Sequence, residues 1–170
     1  MDLRALRSLV AVAEEGTVTA GNCCPLNDGA AAVVVMSDTK AKELGLTPLA
    51  RIVSTGVSGL SPEIMGLGPI EAIRKALGKA GKQISDIDLV EINEAFAVQV
   101  LGSARELGID EDKLNVSGGA IALGHPFGMT GARITATLLN NLATHDKTFG
   151  IESMCVGGGQ GMAMVVERLS

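Results

Sequence analysis

The sequence predicts an α/β fold in which a mixed sheet is flanked by layers of helices. Short apolar runs rich in Val and Ile alternate with segments whose apolar residues recur every three or four positions. Two apolar runs near the C-terminal end, separated by the glycine-rich residues 157–161, predict a β-hairpin. With 46% hydrophobic residues, the 170-residue chain has enough apolar side chains for one domain with a sizeable core.

The first 45 residues predict two helices and one strand. The spacing of apolar side chains over residues 3–13 predicts a short helix that ends at Gly16. Residues 29–36 form a compact Val-rich run, which predicts a buried strand. Ser37 then offers an N-cap for a helix that ends at Gly45.

The remaining residues predict strands and helices in alternation. Pro69 opens one helix, Gly81 ends it, and Gly108 ends the next. A third helix, with Ile134, Leu138 and Leu142 on one face, follows the loop at 118–126. The predicted strands cover residues 49–59, 87–92, 114–117, 149–156 and 162–166.

Composition disfavours several classes of protein. A net charge of −5 and the lack of Trp and Tyr disfavour a nucleic-acid surface. The longest apolar run, residues 30–36, is too short to cross a bilayer, and no basic segment followed by an apolar one opens the chain, so we expect a cytoplasmic protein. Three cysteines form neither a disulfide framework nor a zinc motif, which predicts reduced thiols and no metal.

Three chemically useful side chains lie where predicted elements end. Asn93 follows a strand, His125 lies in a glycine-rich loop before a helix, and Cys155 ends a strand before a glycine turn. In α/β folds, such ends often carry reacting groups. An imidazole can take a thiol proton or donate to an oxyanion, and nearby N–H groups or a histidine can raise the thiolate fraction of a cysteine.

Each of these side chains also has an ordinary structural alternative. His125 could be a loop histidine bonded to backbone, Cys155 a small buried hydrophobe, and Asn93 a helix N-cap. His145, in a polar segment, is interpreted as solvated. The glycine run 157–161 lacks the Lys-Ser/Thr ending of a nucleotide-binding loop and precedes a strand, which excludes a triphosphate site.

Five segments together carry a resemblance to a known family. They are Gly16-Thr-Val-Thr-Ala-Gly-Asn22, Asn27-Asp-Gly-Ala-Ala-Ala32, Asn93-Glu-Ala-Phe96, Gly118-Gly-Ala-Ile-Ala-Leu-Gly-His-Pro126 and Cys155-Val-Gly-Gly-Gly159. In this order they resemble the thiolases, the acyltransferases that cleave or form 3-ketoacyl-CoA. The resemblance implies a layered thiolase-like fold and a role in fatty-acid and lipid metabolism.

The resemblance also implies roles for single residues. His125 would act as base and oxyanion donor, Cys155 as proton shuttle, and Asn93 as holder of a water. The N–H of Gly157 would form half of an oxyanion hole. Glu94 is expected to orient neighbouring loops. Small residues at Ala20, Gly21 and Ala95, with Phe96, would line the pantetheine channel, and Cys24 stands where many thiolases have a serine that bonds pantetheine.

Only a portion of a thiolase is represented in the 170 residues. Residues 1–47 resemble a remnant of the N-terminal half, with a helix, the pantetheine-side loop and one strand-helix unit, and residues 48–170 resemble the C-terminal domain. The nucleophilic cysteine of the family lies outside these parts, so the isolated chain is expected to be nearly inactive. The alternative is a non-catalytic partner subunit or an acyl-CoA binding module.

The same resemblance sets the expected ligands and partners. Acyl-CoA and CoA are substrates, and no cofactor is bound covalently. We further expect residues 29–36 to need a pairing partner, because a thiolase would surround them with strands that this chain lacks. That partner would be a second copy, giving a homo-oligomer, or an N-terminal thiolase half.

Overall fold

A four-stranded mixed sheet forms the centre of the molecule. This computed structural model describes residues 18–170, and its strands are β1 (Ala50–Gly59), β2 (Leu89–Ile92), β3 (Phe149–Val156) and β4 (Gln160–Arg168). Their order is β1-β4-β3-β2, in which β2 runs parallel to β3 and the other pairs are antiparallel. The predicted α/β class, mixed sheet and closing hairpin are confirmed.

Five α-helices occur among the described residues. They are α1 (Asp38–Glu43), α2 (Gly68–Ala80), α3 (Ala97–Leu107), α4 (Ala120–Leu123) and α5 (Thr130–Thr144). The caps follow the sequence: the Ser37 hydroxyl accepts from the Lys40 N–H, and Gly81 and Gly108 end α2 and α3 in the left-handed region. Residues 18–170 also contain three 3₁₀ turns, at Pro62–Leu67, Ile84–Asp86 and Glu111–Lys113.

The sheet buries apolar side chains on both faces. Val165 and Val166 are neighbours in β4, so they point to opposite sides, and each joins a different cluster. The Val165 cluster includes residues of α2 and α3, whereas the Val166 cluster includes Leu138 and Leu142 of α5. Helices therefore cover both faces, which gives the layered arrangement that the sequence predicts.

Residues 29–36 are not the buried strand that their composition predicts. The backbone from residue 24 to residue 37 is in neither helix nor strand, and Val34 is 83% exposed. An apolar run reports only that burial would be favourable, whereas a strand also needs a neighbouring backbone to pair with. The predicted N-terminal helix at 3–13 lies outside the described residues.

Three smaller differences concern two strands and one loop. The predicted strand at 114–117 is reduced to a single bridge between Leu114 and Val90, because Asn115 adopts a positive φ of 47°. The strand predicted at 87–92 begins only at Leu89. The region predicted as a loop before α2 contains the 3₁₀ turn at Pro62–Leu67.

No helix among residues 18–170 is both long enough and apolar enough to pass through a membrane. The same residues contain no group of three or more His, Cys, Asp or Glu side chains that could hold a metal ion. Cys23, Cys24 and Cys155 are all free thiols.

Candidate active site

Residues 22–25 lie between two of the predicted functional loops. The Cys24 N–H donates to the Ala95 carbonyl at 3.1 Å, and the Ala97 N–H donates to the Asn22 carbonyl at 2.9 Å. On the other side, the His125 N–H donates to the Pro25 carbonyl at 3.1 Å. Backbone hydrogen bonds therefore bring Cys24, Ala95 and His125, which are far apart in sequence, to one place.

Asn93 follows the last residue of β2 and is completely buried. Its N–H donates to the Ser153 carbonyl at 2.9 Å, which fixes it beside β3. Neither atom of its side-chain amide has a hydrogen-bond partner among the described residues. The N-cap alternative is wrong, because α3 is capped by Phe96 and not by Asn93. A buried amide without a protein partner is costly and calls for another polar group.

The Glu94 side chain connects the end of β2 to the loop that contains His125. One carboxylate oxygen accepts from the Asn115 side-chain amide at 3.1 Å, and the other accepts from the Ile121 N–H at 3.0 Å in the first turn of α4. Gly119 permits this approach, since a Cβ there would lie 2.2 Å from the Glu94 carboxyl carbon. The expectation that Glu94 orients loops agrees with these contacts.

Asn115 replaces the missing strand beside β2. Its side-chain oxygen accepts from the Ile92 N–H, and its side-chain nitrogen donates to the Ile92 carbonyl, both at 2.9 Å. This side chain thus makes the two bonds that a neighbouring strand would make at Ile92. Sequence reasoning missed this residue, although an Asn beside glycine-rich sequence is a common sign of positive φ.

The backbone around His125 is constrained on both sides. Gly124 has a φ of 95°, and a Cβ on it would lie 2.5 Å from the Asn27 side chain. The ring Nδ1 lies 2.6 Å from the Thr130 hydroxyl, and the ring packs edge-on against Phe127 at 4.9 Å. Burial, and secondly the positive charge of Arg133, lower the pKa of His125 below 6.5, so the ring is neutral at pH 7.

Cys155 is the last but one residue of β3 and is only 7% exposed. Burial raises the pKa of this thiol above 9.0, and this effect exceeds the opposing effect of a backbone hydrogen bond. The expectation that its surroundings raise its thiolate fraction is therefore wrong, because desolvation disfavours the anion. At neutral pH Cys155 is a protonated thiol, which suits it to donate a proton.

Gly157 lies just beyond β3, at the start of the hairpin turn. Gly158 and Gly159 follow with φ of 84° and 86°, and β4 then begins at Gln160. A Cβ on Gly157 would meet nothing within 4 Å, so the space in that direction is open. A strand follows this turn, as the sequence predicts.

The predicted pantetheine-side residues are also brought together. Cys23 forms an isolated bridge with Phe96, while Ala20 and Gly21 lie in the exposed turn just before it. Ala95 is buried beneath this segment. Cys24 is half-buried, and burial, followed by the proximity of Cys23, raises the pKa of its thiol. The proximity of Cys24 also contributes to the raised pKa of the Cys155 thiol.

A buried charged cluster near the site was not predicted. Glu91 of β2 and Glu152 of β3 are paired neighbours, and Arg133 of α5 lies 3.9 Å from Glu91. Burial is the main cause that raises the pKa of both carboxyl groups to about 7. The only sequence signal is a Glu inside each of two otherwise apolar strands. His145, in contrast, is exposed as expected.

Two surface depressions lie outside the candidate site. One, of about 400 Å³, is lined by Leu60, Leu67, Arg74 and Glu106 among others. The second, of about 230 Å³, borders Ile84 and the end of α3. Neither contains Asn93, His125 or Cys155, so the candidate site rests on the hydrogen bonds around them and not on cavity shape.

The fold and the converging loops define an α/β protein with a candidate acid–base site made of His, Cys and Asn side chains. A family model described as the thiolase C-terminal domain matches residues 46–168, and one described as the thiolase N-terminal domain matches residues 1–39. The chain therefore belongs to the thiolase family, as its sequence motifs predict.

Curated relatives agree with this assignment. The acetyl-CoA acetyltransferase of Escherichia coli strain K12 is 57% identical over 155 residues, and that of Chromobacterium violaceum is 56% identical over 155 residues. The match covers 91% of this chain and 39% and 40% of the two relatives, respectively. The chain thus spans about two fifths of the length of the relatives it matches.

Solved structures show the same fold. The Bacillus anthracis acetyl-CoA acetyltransferase superimposes with a TM-score of 0.87 at 55% identity, covering 89% of this chain and 39% of that one. Human mitochondrial 3-ketoacyl-CoA thiolase in complex with CoA gives a TM-score of 0.84 at 46% identity, covering 91% and 39%. The thiolase-like layered fold is confirmed.

Proposed function

We propose that this chain supplies the histidine, cysteine and asparagine side of an acyl-CoA acyltransferase site. The reaction would be thiolytic cleavage or Claisen condensation of 3-ketoacyl-CoA in lipid metabolism, with acyl-CoA and CoA as substrates. The observation that carries this proposal is the set of backbone hydrogen bonds made by residues 22–25. These bonds connect the loops that contain Asn93 and His125 in a thiolase fold. A cytoplasmic location stays a prediction.

In thiolysis, a cysteine thiolate from another part of the thiolase fold would attack the ketone carbon of 3-ketoacyl-CoA. The bond between C2 and C3 breaks, and its electron pair passes to C2 of the departing acetyl-CoA enolate. The Cys155 thiol, kept protonated by burial, would donate its proton to C2. CoA then takes the acyl group from the nucleophile.

Three groups of this chain would stabilise negative charge on substrate oxygens. His125, which is neutral at pH 7, would take the nucleophile's proton or donate to a carbonyl oxygen, and the buried Asn93 amide would hold a water beside it. The Gly157 N–H would form half of a second oxyanion hole. This chemistry uses proton transfer and hydrogen bonds, with no covalently bound cofactor or metal.

The pantetheine arm of CoA would pass along the segment that contains Ala20, Gly21 and Cys24, next to Ala95 and Phe96. Small side chains there let the arm approach the backbone closely. Cys24 is a weaker hydrogen-bond partner than serine, so we expect this contact to contribute little. In the same proposal, residues 1–47 belong to the N-terminal half of the family fold and residues 48–170 to its C-terminal domain.

A second candidate function is that of a non-catalytic partner subunit or acyl-CoA binding module. The specific observation in its favour is that burial keeps the Cys155 thiol protonated, so this residue does not supply a nucleophilic thiolate. The proposed acyltransferase function requires a nucleophilic thiol that neither Cys23 nor Cys24 supplies in a matching motif. Activity with acetoacetyl-CoA and CoA, measured for the chain alone and with a separately expressed N-terminal thiolase half, separates the two functions.

The first prediction concerns covalent chemistry in the chain alone. Incubation with acetyl-CoA should leave its intact mass unchanged, because neither His125 nor the protonated Cys155 replaces the nucleophile. Mass spectrometry checks this, with the Cys155→Ala chain as the matched control. Acetylation of Cys24 or Cys155 accompanied by turnover would show that the chain carries its own nucleophile.

A further inference from the structure

The Thr130 hydroxyl lies between a ring nitrogen of His125 and a backbone carbonyl oxygen at the start of α5. Its oxygen is 2.6 Å from Nδ1 of His125 and 3.0 Å from the Pro126 carbonyl oxygen. Thr130 is completely buried, so no bulk water competes for this hydroxyl. A hydroxyl has one hydrogen, and the acceptor that receives it decides the protonation pattern of the histidine ring.

The Pro126 carbonyl is already satisfied by backbone donors. It accepts from the Met129 N–H at 2.9 Å and from the Thr130 N–H at 3.0 Å. A carbonyl oxygen has two lone pairs, so these two bonds fill its capacity. Nδ1 of His125, in contrast, has the Thr130 hydroxyl as its partner.

The distances from the Thr130 hydroxyl to Nδ1 and to the Pro126 carbonyl support the same assignment of its hydrogen. Heavy atoms lie about 2.5–3.0 Å apart in hydrogen bonds from a hydroxyl to oxygen and about 2.7–3.2 Å apart in those from N–H to oxygen. The separation of 2.6 Å at Nδ1 lies at the strong end of the hydroxyl range, and the 3.0 Å at Pro126 lies at its weak end. The hydroxyl hydrogen of Thr130 therefore points toward Nδ1 of His125 and not toward the Pro126 carbonyl oxygen.

We propose that the Thr130 hydroxyl donates to Nδ1 of His125 and fixes the ring as the tautomer that carries its proton on Nε2. Thr130 is then a positioning residue that acts through His125. This role rests on the proposed function. In it, the neutral His125 ring would donate a hydrogen bond from Nε2–H to a substrate oxygen. Among the described residues, the charged group that acts on the ring is Arg133 of α5.

The tautomer is measurable without any substrate. The chain has two histidines, so His145→Asn leaves His125 as the single source of imidazole signals. In ¹⁵N-labelled protein at neutral pH, we expect Nε2 to show the chemical shift of a protonated nitrogen and Nδ1 that of an unprotonated one. The opposite pattern would overturn the proposal.

Removal of the hydroxyl gives a second test. Thr130→Val lacks the group that donates into Nδ1, so the preference for a proton on Nε2 should weaken and the ¹⁵N shifts of the two ring nitrogens should move towards each other. Unchanged shifts of both nitrogens in a folded valine variant contradict the proposal.

Thr130→Ser keeps the hydroxyl and is the matched control, for which we expect the wild-type tautomer. If the valine variant fails to fold, the wild-type and serine spectra still decide the tautomer. Neither measurement requires acyl transfer. Inactivity of the chain combined with an N-terminal half would count against the proposed function alone, and a proton on Nδ1 would count against the role of Thr130 alone.

Discussion

Single residues at the candidate site are held by groups whose positions the fold dictates. Gly124 turns the backbone through a positive φ, and the His125 N–H is then anchored on the Pro25 carbonyl. Glu94 ties this loop to β2 through the Ile121 N–H. The ring is therefore oriented before any substrate arrives, which reduces the reorganisation needed during reaction.

At this scale we predict that His125→Ala abolishes most of the acyl transfer. In a complete site, formed with an N-terminal thiolase half, thiolysis should fall at least ~10²-fold, because both a base and an oxyanion donor are lost. CoA binding, measured by calorimetry, should change far less. His145→Ala, at an exposed position, is the matched control. Near-normal turnover of the His125 variant would show that the residue is misassigned.

At the scale of elements, two neighbouring strands and one helix enclose a pair of carboxyl groups. The Thr135 hydroxyl lies 2.8 Å from both the Gly131 carbonyl oxygen and the Glu152 carboxyl. The hydroxyl donates to the Glu152 carboxyl, and this bond favours the carboxylate. Burial has the larger, opposite effect and raises the pKa of Glu152 to about 7, so the protonated form is favoured.

The direction of the pH effect follows from this shift. The folded protein binds a proton at Glu152 up to a pH of about 7, whereas the unfolded chain releases it near the ordinary carboxyl pKa of 4.5. Stability from this group is therefore complete below pH 4.5 and is lost as the pH rises to about 7. At higher pH the folded protein contains a buried carboxylate.

We predict that Glu152→Gln stabilises the protein at pH 8 and changes its stability little at pH 5. The neutral amide still reaches Thr135 but has no charge to desolvate, so the gain should approach roughly 3 kcal/mol at most. Urea unfolding at the two pH values measures the difference. The exposed Glu111→Gln is the matched control, with no pH-dependent gain expected. A Gln variant that is less stable at pH 8 contradicts the assigned direction.

At the scale of the whole molecule, the most unusual feature is the apolar segment at residues 29–36. Val34 and Val35 are 83% and 70% exposed, while the backbone from 24 to 37 has no regular secondary structure. Exposed apolar side chains in extended backbone favour pairing with another chain. We expect this segment to contact a second copy of the chain, unless an N-terminal thiolase half is supplied.

The test of this expectation is Val34→Lys. Burial of each apolar side chain in the segment would contribute about 1 kcal/mol or more, and a lysine in the interface would remove this gain and add a desolvation cost. Light scattering should therefore show an oligomer for the wild type and a smaller species or lower solubility for the variant. Leu169→Lys, at an exposed apolar position outside the segment, is the control. A wild-type chain that stays monomeric at high concentration, with freely exchanging amides at 29–36, rules out the pairing.

Much of the fold was predictable because it depends on local patterns. The stripe of Ile134, Leu138 and Leu142 predicts α5, and all three side chains are fully buried. Gly81 and Gly108 end their helices since only a residue that tolerates positive φ continues the chain there. The family was predictable for a similar reason, because its motifs are short and continuous in sequence.

Other features required the tertiary structure. Residues 29–36 have the composition of a buried strand, but pairing depends on a neighbouring backbone that a local pattern does not report. Asn115 substitutes for a strand only because Ile92 happens to lie beside it. The raised pKa values at Glu91 and Glu152 likewise come from burial between β2, β3 and α5.

The sequence by itself determined the α/β class, the positions of most helices and strands and the family, because periodicity, capping and motif order are properties of the chain. Only the tertiary structure decided that Cys155 is a protonated thiol, that the Asn93 amide has no partner among the described residues, and that Thr130 contacts His125. These properties depend on desolvation and on distances between residues from different segments. Both are set when the sheet and its helices pack together.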